Sequence, residues 1–296
     1  EYQDKYPNTF RVIDKENGNY GSCINRGLKE AKGKYIKILD ADDSFENLNF
    51  SEFIDFLVKS DVDLVVNDYC IVNENGGITN VCKYELADGI LEFNEEIRTN
   101  FNTKNLQMHA VTYRTKNLRD INYYQTEGIS YTDQEWIFLP LITVRRIIYF
   151  HKIVYRYLLG RKGQTMSSDA FRKGVSQNQQ CVLKISKDFV QYRNKIENKS
   201  IANYLSDQAL VSLDSVYSSS LIKYRNLDLE GLLDFDQYII SKHILMSMAD
   251  SLCMPGTRFH YIRRWHHTGA RDTRFLFYFM LFYSRVYCHL KRRLQK

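Results

Sequence analysis

"NGNYGSCINRGLKEAKGKYIKILDADDSF", residues 17–45, reads as a helix, a strand and an acidic turn in immediate succession. Ile24, Leu28 and Ala31 recur at helical spacing, Ser22 is available as N-cap and Gly33 as the stop. "KYIKILD" (34–40) then reads as a strand that ends on carboxylates at Asp40, Asp42 and Asp43. Working outward, "FRVID" (10–14) predicts an earlier strand, "FSEFIDFLVKS" (50–60) a helix, "DVDLVVNDYCIV" (61–72) a strand, and "ENGG" (74–77) a turn. Strands alternating with helices predict an α/β domain with a mostly parallel sheet, in which ligands bind at the carboxyl ends of strands. The three acids sit at such an end.

Like charges packed this closely repel, and three explanations compete for them. They could be a solvated loop or a helix start where acids favour the dipole. They could hold a divalent cation, because hard ions such as Mg²⁺ or Mn²⁺ take carboxylate oxygens and relieve the repulsion. Or Asp-x-Asp-x-Ser after a strand could be the phosphoryl-accepting motif of dehalogenase-type phosphatases. That last chemistry needs a second acidic pair, and no "GDxxxD" follows. Three acids also exceed what capping needs, so the cation reading fits best.

Residues 17–45 closely resemble the signature of family 2 glycosyltransferases of the GT-A fold, a pattern like RNxGlxxAxGxyixflDaDD. The resemblance implies a Rossmann-like nucleotide-diphospho-sugar transferase in which Asp40 and Asp42 form the DxD motif. By it, Asp42 ligates the metal directly, Asp40 lies near the ribose or metal, and Asp43 supports them. Asn25 and Arg26 would lie near the nucleotide. Ile24 stands where the family has Arg, which makes Arg26 the candidate to replace that group, and Asn19 stands where a second Gly is common. The family's first strand, with its PxYN-like turn, and its DDGS segment have no counterpart here. The expectation is therefore a GT-A domain lacking its first strands, with an N-terminal portion lost.

Further along, "GISYTDQEWIFLPL" (128–141) places Asp133 and Glu135 ahead of an apolar run. An inverting transferase needs a base to take the acceptor's proton, and the family carries an Asp at the start of a helix in a similar place. Asp133 is the candidate base. The alternative is a capping box of Thr132 or Asp133 with Glu135. In "VYRYLLGRKGQTMS" (154–167), Arg161, Gln164 and Thr165 form a basic turn that could close over a diphosphate, or could simply be solvated. His109, in "LQMHAVTYR", lies on an expected strand and reads as a structural residue or an acceptor contact.

The rest of the chain bounds the function. It has 296 residues, 44% hydrophobic and 26% charged, which gives ample material for a core. Six cysteines (23, 70, 82, 181, 253 and 288) show no metal-like spacing and read as reduced thiols. The polar start "EYQDKYPNTF" lacks the apolar segment of a signal peptide, and "FLFYFMLFY" (275–283) is too short to span a bilayer. Helical periodicity runs through 178–198, 201–224 and 232–252, so the reading is a partial GT-A domain over 1–165 and a helical region over 166–296. The net charge of +6 is C-terminal: residues 256–296 hold ten Lys/Arg and one acid. A stripe of Phe275, Phe279, Phe282, Val286 and Leu290 with Arg285, Lys291, Arg292 and Arg293 reads as a core helix with a solvated tail, or as an interfacial helix at anionic lipid. No nucleic-acid motif accompanies the charge. The expectation is a bacterial-type, metal-dependent inverting transferase. It would use Mg²⁺ or Mn²⁺, a nucleotide-sugar donor and a glycan or lipid-linked acceptor for cell-surface polysaccharide, and be cytoplasmic or peripheral on the inner membrane face. The rival readings are a non-catalytic binding module on the same scaffold and the phosphatase.

Overall fold

Leu64–Val72, the strand with the densest apolar sequence, is buried along almost its whole length, as expected of a strand covered on both faces. It anchors the computed structural model, which describes residues 1–161, 172, 174–223, 228–254, 256–270, 282 and 286. The strands are β1 (Tyr35–Ile36), β2 (Ser44–Phe45), β3 (Leu64–Val72), β4 (Ile78–Cys82), β5 (Ile90–Glu92), β6 (Val111–Arg114) and β7 (Arg146–Leu158). Their order is β1-β6-β3-β7-β2, with β4 paired to β3 and β5 to β7.

The sheet is mixed, which corrects the expectation of a mostly parallel one. Among the described strands only β3 and β7 pair in parallel, and every other pair is antiparallel. Because β6 runs backwards between β1 and β3, the strands β1, β3 and β7 still share one direction. Hydrophobic periodicity locates strands but carries no sign of their direction, so the sequence could not show β6 reversed.

Helix α1 (Tyr2–Lys5) precedes a stretch without regular secondary structure where 10–14 was expected to be a strand. Val12 is exposed and its N–H goes to the Gln3 side chain instead of a ladder, so the apolar rhythm found no neighbour to pair with. Helix α2 spans Asn19–Glu30, starting before Ser22 and stopping before Gly33. Asn17 Oδ1 accepts the Asn19 N–H (3.0 Å), and Ser22 lies inside the helix, donating back to Asn19 O (2.7 Å). Helix α3 (Asn47–Lys59) packs Phe53 against Val62, Val65, Phe150 and Val154 on one sheet face. The opposite face carries Leu64 and Val66 into the main core.

Helices α4 (Glu95–Lys104), α5 (Thr115–Asp120) and α6 (Asp133–Trp136) complete the sheet domain. The helical region follows as α7 (Val175–Tyr192), α8 (Lys199–Ser218), α9 (Leu229–Ile240), α10 (His243–Ser251) and α11 (Tyr261–His267). The span 232–252, expected as one helix, breaks at extended Lys242 between α9 and α10, and 178–198 ends as a helix at Tyr192. Asn198 caps α8 by accepting the Ser200 and Ile201 N–H groups (2.9 and 3.1 Å). One core runs without interruption from Ile24 and Leu64 through Trp136 and Tyr155 to Ile185, Leu213 and Trp265, so the helical region buries its apolar faces on the sheet domain. The expected boundary at 165/166 and the stripe at 275–290, apart from exposed Phe282 and Val286, lie outside the described residues. Among the described helices none is long and apolar enough to cross a membrane.

Candidate active site

After Ile36 the chain leaves the ladder with β6 and folds into a tight turn, closed by Asp43 N–H donating to Asp40 O (3.1 Å). This turn brings Asp40 and Asp43 into one cleft. Strand β7 supplies its floor. Opposite Asp68 the β3/β7 register slips, so that Asn67 faces Phe150 but Tyr69 faces Tyr155. Such bulges re-aim side chains beside functional sites. Here Tyr155 and Tyr157, two apart and so on one face, both feel the acids of the turn.

Tyr155 organises the turn. Its hydroxyl donates to Asp43 Oδ2 (2.6 Å) and accepts the Asp40 N–H (3.1 Å), while Leu158 N–H donates to Asp43 Oδ1 (2.8 Å). Burial raises the Asp43 carboxyl, and these two donors pull it part of the way back. Asp40 is less well served. Burial first, then the charges of Asp43, Asp133 and Asp42, push it up to about 6, against a lowering hydrogen bond from Tyr20. The Tyr20 hydroxyl also reaches Met108 Sδ (2.9 Å).

His109 faces the same cleft. It sits in a 3₁₀ turn, Met108–Ala110, rather than on the strand expected for it, and one ligand atom each of Asp40, Asp43 and His109 lie within 4.8 Å of one another. Its ring stacks on Tyr157 (centroids 4.2 Å apart) and meets Tyr155 edge-on (4.8 Å). Among the described residues its buried Nδ1 has no hydrogen-bond partner. Burial, and secondarily the Lys37 cation, push the imidazole down to about 3, which leaves it neutral. The Lys37 ammonium is enclosed and donates to Asn67 Oδ1 (3.0 Å), His109 O (2.8 Å) and Val111 O (3.3 Å), and burial lowers it to about 7. Two repelling carboxylates with an unpartnered neutral imidazole are a donor set that suits a divalent cation.

Asp133 opens helix α6 on the other side, close enough for its charge to raise Asp40. The capping box allowed by "TDQE" is not formed. Thr132 Oγ1 accepts from Gln125 Nε2 (3.1 Å), and Glu135 Oε2 accepts the Thr126 N–H (2.9 Å). Asp133 instead takes its own and Gln134's N–H groups, and burial outweighs them, holding its carboxyl above the ordinary range. It also lines a cavity of about 200 Å³ with Asn105, Gln107, Gln134, Gln208 and Ser212.

The remaining expected residues divide. Arg161 reaches the acids, where it pairs with Asp42 Oδ2 (3.1 Å), and Asp42 is not among the three residues, Asp40, Asp43 and His109, whose ligand atoms converge. Asn25 and Arg26 are engaged elsewhere. Asn25 holds the loop after α5, donating to Gln125 O (2.8 Å) and Glu127 Oε1 (2.9 Å) and accepting the Gln125 N–H (2.9 Å). Arg26 pairs with Glu30 (3.0 Å), and Asn25 and Arg26 line a cavity of about 830 Å³ that residues 40–43 do not border. Gln164 and Thr165 lie outside the described residues. Tyr20, Lys37, Tyr155 and Tyr157 went unforeseen; the one local sign of them is the alternation of tyrosines in "YRY" (155–157), within a segment read only as a basic turn.

Residues 1–121 match the sequence model of glycosyl transferase family 2. Over that stretch the chain is similar to family 2 glycosyltransferases. Relatives of the domain include the minor teichoic acid biosynthesis protein GgaB of Bacillus subtilis, 40% identical over 67 residues, which are 22% of this chain and 7% of that protein. The putative glycosyltransferase EpsH of B. subtilis is 33% identical over 75 residues, 25% of this chain and 22% of that one. An uncharacterized glycosyltransferase of Methanocaldococcus jannaschii, MJ1057, is 29% identical over 125 residues, 42% and 41% of the two chains. The chain thus spans less than half the length of these curated relatives. Among solved structures, S. aureus TarS 1–349 in complex with UDP-GlcNAc superposes with a TM-score of 0.52 at 18% identity, over 90% of this chain and 78% of that one. The S. aureus TarS structure that this chain covers to 44% gives 0.54, over 88% of this chain. At that identity the likeness establishes the α/β GT-A fold with its helical extension.

Proposed function

We propose that the chain is the catalytic part of a metal-dependent inverting glycosyltransferase that moves a sugar from a nucleotide-diphosphate donor to a hydroxyl of a glycan or lipid-linked acceptor in cell-surface polysaccharide synthesis. The carrying observation is the cleft where Asp40 and Asp43 are held within reach of one cation while Asp133 faces them from α6. The relative named for teichoic acid biosynthesis and the solved neighbour holding UDP-GlcNAc support the substrate class and make uridine-diphosphate sugars the first donors to try.

Asp40 and Asp43 would hold the divalent ion, which when bound neutralises the charge that grows on the departing diphosphate. Arg161, now on Asp42, would offer its guanidinium fork to the same phosphates. Asp133 takes the proton of the acceptor hydroxyl as that oxygen bonds to the anomeric carbon. The bond from that carbon to the diphosphate oxygen breaks with its electron pair leaving on the nucleotide. One displacement of this kind inverts the anomeric centre. The cavity beside Asp133, rimmed by amide and hydroxyl side chains from both the sheet domain and α8, suits the hydroxyls of an acceptor sugar.

The test is release of UDP from UDP-sugars in the presence of Mn²⁺ and candidate acceptors, with the Asp133→Asn variant as control. Loss of a general base should cut turnover by about 10²–10⁴-fold and leave UDP binding unchanged. Full turnover by the variant would remove Asp133 from the mechanism.

A further inference from the structure

The cavity of about 830 Å³ lies across α2 from the acids, and its size is that of a ligand cleft. Tyr20 points from α2 toward Asp40, whereas Ser22, Asn25, Arg26 and Lys29 line the cavity from the other side of the helix. Its charge is unbalanced, with Lys15, Arg26, Lys29 and Arg119 set against the carboxylates of Glu16 and Glu127. Lys15 donates to Glu16 O and Ser22 Oγ (both 2.7 Å), and Arg119 donates to Leu28 O (2.9 Å) and Ala31 O, so these contacts satisfy the donors without neutralising the charge. Arg26 shares Glu30 with Arg11 (3.0 and 2.9 Å), and exposed Lys29 enters no ion pair among the described residues. The rest of the lining suits a sugar. The amides of Asn17 and Asn122 can bond hydroxyls, and the Tyr124 ring, 55% exposed, offers a flat apolar face.

We propose that this groove is a second saccharide site, which holds a stretch of the acceptor glycan whose sugar units carry phosphate, away from the reacting hydroxyl. Several cations around one space suit the multiply charged oxygens of a phosphate, and the amides and the ring suit the sugar that bears it. One loop joins the groove to the base. Asn25 on the groove wall bonds the Gln125 O and N–H (2.8 and 2.9 Å), and Gln125 Nε2 donates to Thr132 O (2.8 Å) and Oγ1 (3.1 Å), next to Asp133. Gly18 O accepts the Gly128 N–H (2.8 Å), and Asn19 Nδ2 donates to Gly128 O (2.7 Å), which seats the middle of the loop on α2. Tyr124 and Glu127 thus border the groove, and the same loop ends at Asp133 on the smaller cavity. A glycan laid along it would present one unit to the base and an acidic unit to Lys15 and Lys29. The inference rests on the transferase reading for the ligand's being the acceptor; the binding of an acidic saccharide stands apart from that reading.

The experiment titrates the tag-free 296-residue chain with maltotriose 6-phosphate, unmodified maltotriose and inorganic phosphate, followed by ligand-observed NMR. The phosphorylated sugar should bind about tenfold tighter than either of the others. The double variant Lys15→Ala, Lys29→Ala, whose changed side chains lie outside the acid cleft, should weaken it by about 3–10-fold and leave UDP binding as in the wild type. Tyr124→Ala should weaken both sugars and spare inorganic phosphate. Equal binding of unmodified maltotriose would overturn the acidic ligand, and equal binding of inorganic phosphate would overturn the saccharide. Displacement of the probe by UDP, or binding unchanged in the double variant, would place it outside this groove and overturn the second site, as would no binding at all. UDP release from UDP-sugars, measured separately, decides the transferase reading, so either claim can fail while the other stands.

Discussion

Asp40→Asn should stabilise the metal-free protein. A carboxylate displaced from its ordinary 3.8 to about 6 by burial and by Asp43, Asp133 and Asp42 resists ionising in the fold. The sign follows from linkage. A folded pKa above the unfolded one means that the folded state holds the extra proton, so this contribution is complete below about 3.8 and is lost as the pH rises through about 6. At 1.36 kcal/mol per pH unit the loss at pH 7 is about 3 kcal/mol at most, and about 1–3 kcal/mol after screening by the open side of the cleft. Asparagine has nearly the shape of aspartate, can still accept from Tyr20, and carries no charge. Urea unfolding at pH 7 with a chelator, followed by the fluorescence of buried Trp136 and Trp265, should therefore show the variant more stable by that amount. With Mn²⁺ at a hundred times its Kd the wild type gains about 2.7 kcal/mol and the variant gains little, so the variant's advantage is cancelled or reversed. A variant destabilised by more than about 0.5 kcal/mol in chelator would refute the claim that the cluster is strained by charge rather than held by it.

Gly21→Ala should cost about 2–4 kcal/mol, because a Cβ at that position would lie 1.9 Å from Thr126 O, a backbone atom that cannot swing aside. Thermal unfolding checks it, and a loss under about 1 kcal/mol would mean that the 125–128 loop is not seated on α2 as described. His266 gives a pH effect of the opposite chemistry. Burial lowers its pKa, but the bonds and charges of Asp236 (3.0 Å to Nε2) and Asp250 (2.8 Å to Nδ1) more than offset this and leave it above the ordinary 6.5. Its contribution is complete below 6.5 and is lost as the pH rises through the raised folded value. The unfolding midpoint read at neighbouring Trp265 should fall from pH 6 to pH 9, and His266→Gln should flatten that slope; an unchanged slope in the variant would exclude His266 as its source.

The parts legible in the sequence are those with a local cause. The junction of an apolar segment with three acids marked residues 40–43, and an acid ahead of "WIFL" marked Asp133, because both signals lie within a few neighbouring positions. Direction and pairing are not local, which is why β6 ran against expectation and why 10–14 remained outside the sheet although its composition suits a strand. The cluster shows the same limit more sharply. His109 joins Asp40 and Asp43 only because β6 lies beside β3, and Tyr155 reaches Asp43 only because the β3/β7 register slips at Asp68. Asp42 and Asn25 show the converse, since a side chain in a signature can be drawn to a protein partner such as Arg161 or the Gln125 backbone that the signature does not contain.

Calorimetric titration of UDP into the chain, with Mn²⁺ and with chelator, for wild type and Asp40→Asn, tests the central claim most directly. A cation held by Asp40 and Asp43 to receive a nucleotide diphosphate predicts binding heat in the wild type with Mn²⁺, and none with chelator or in the variant. UDP binding of equal strength with chelator, or binding that survives Asp40→Asn, would contradict it.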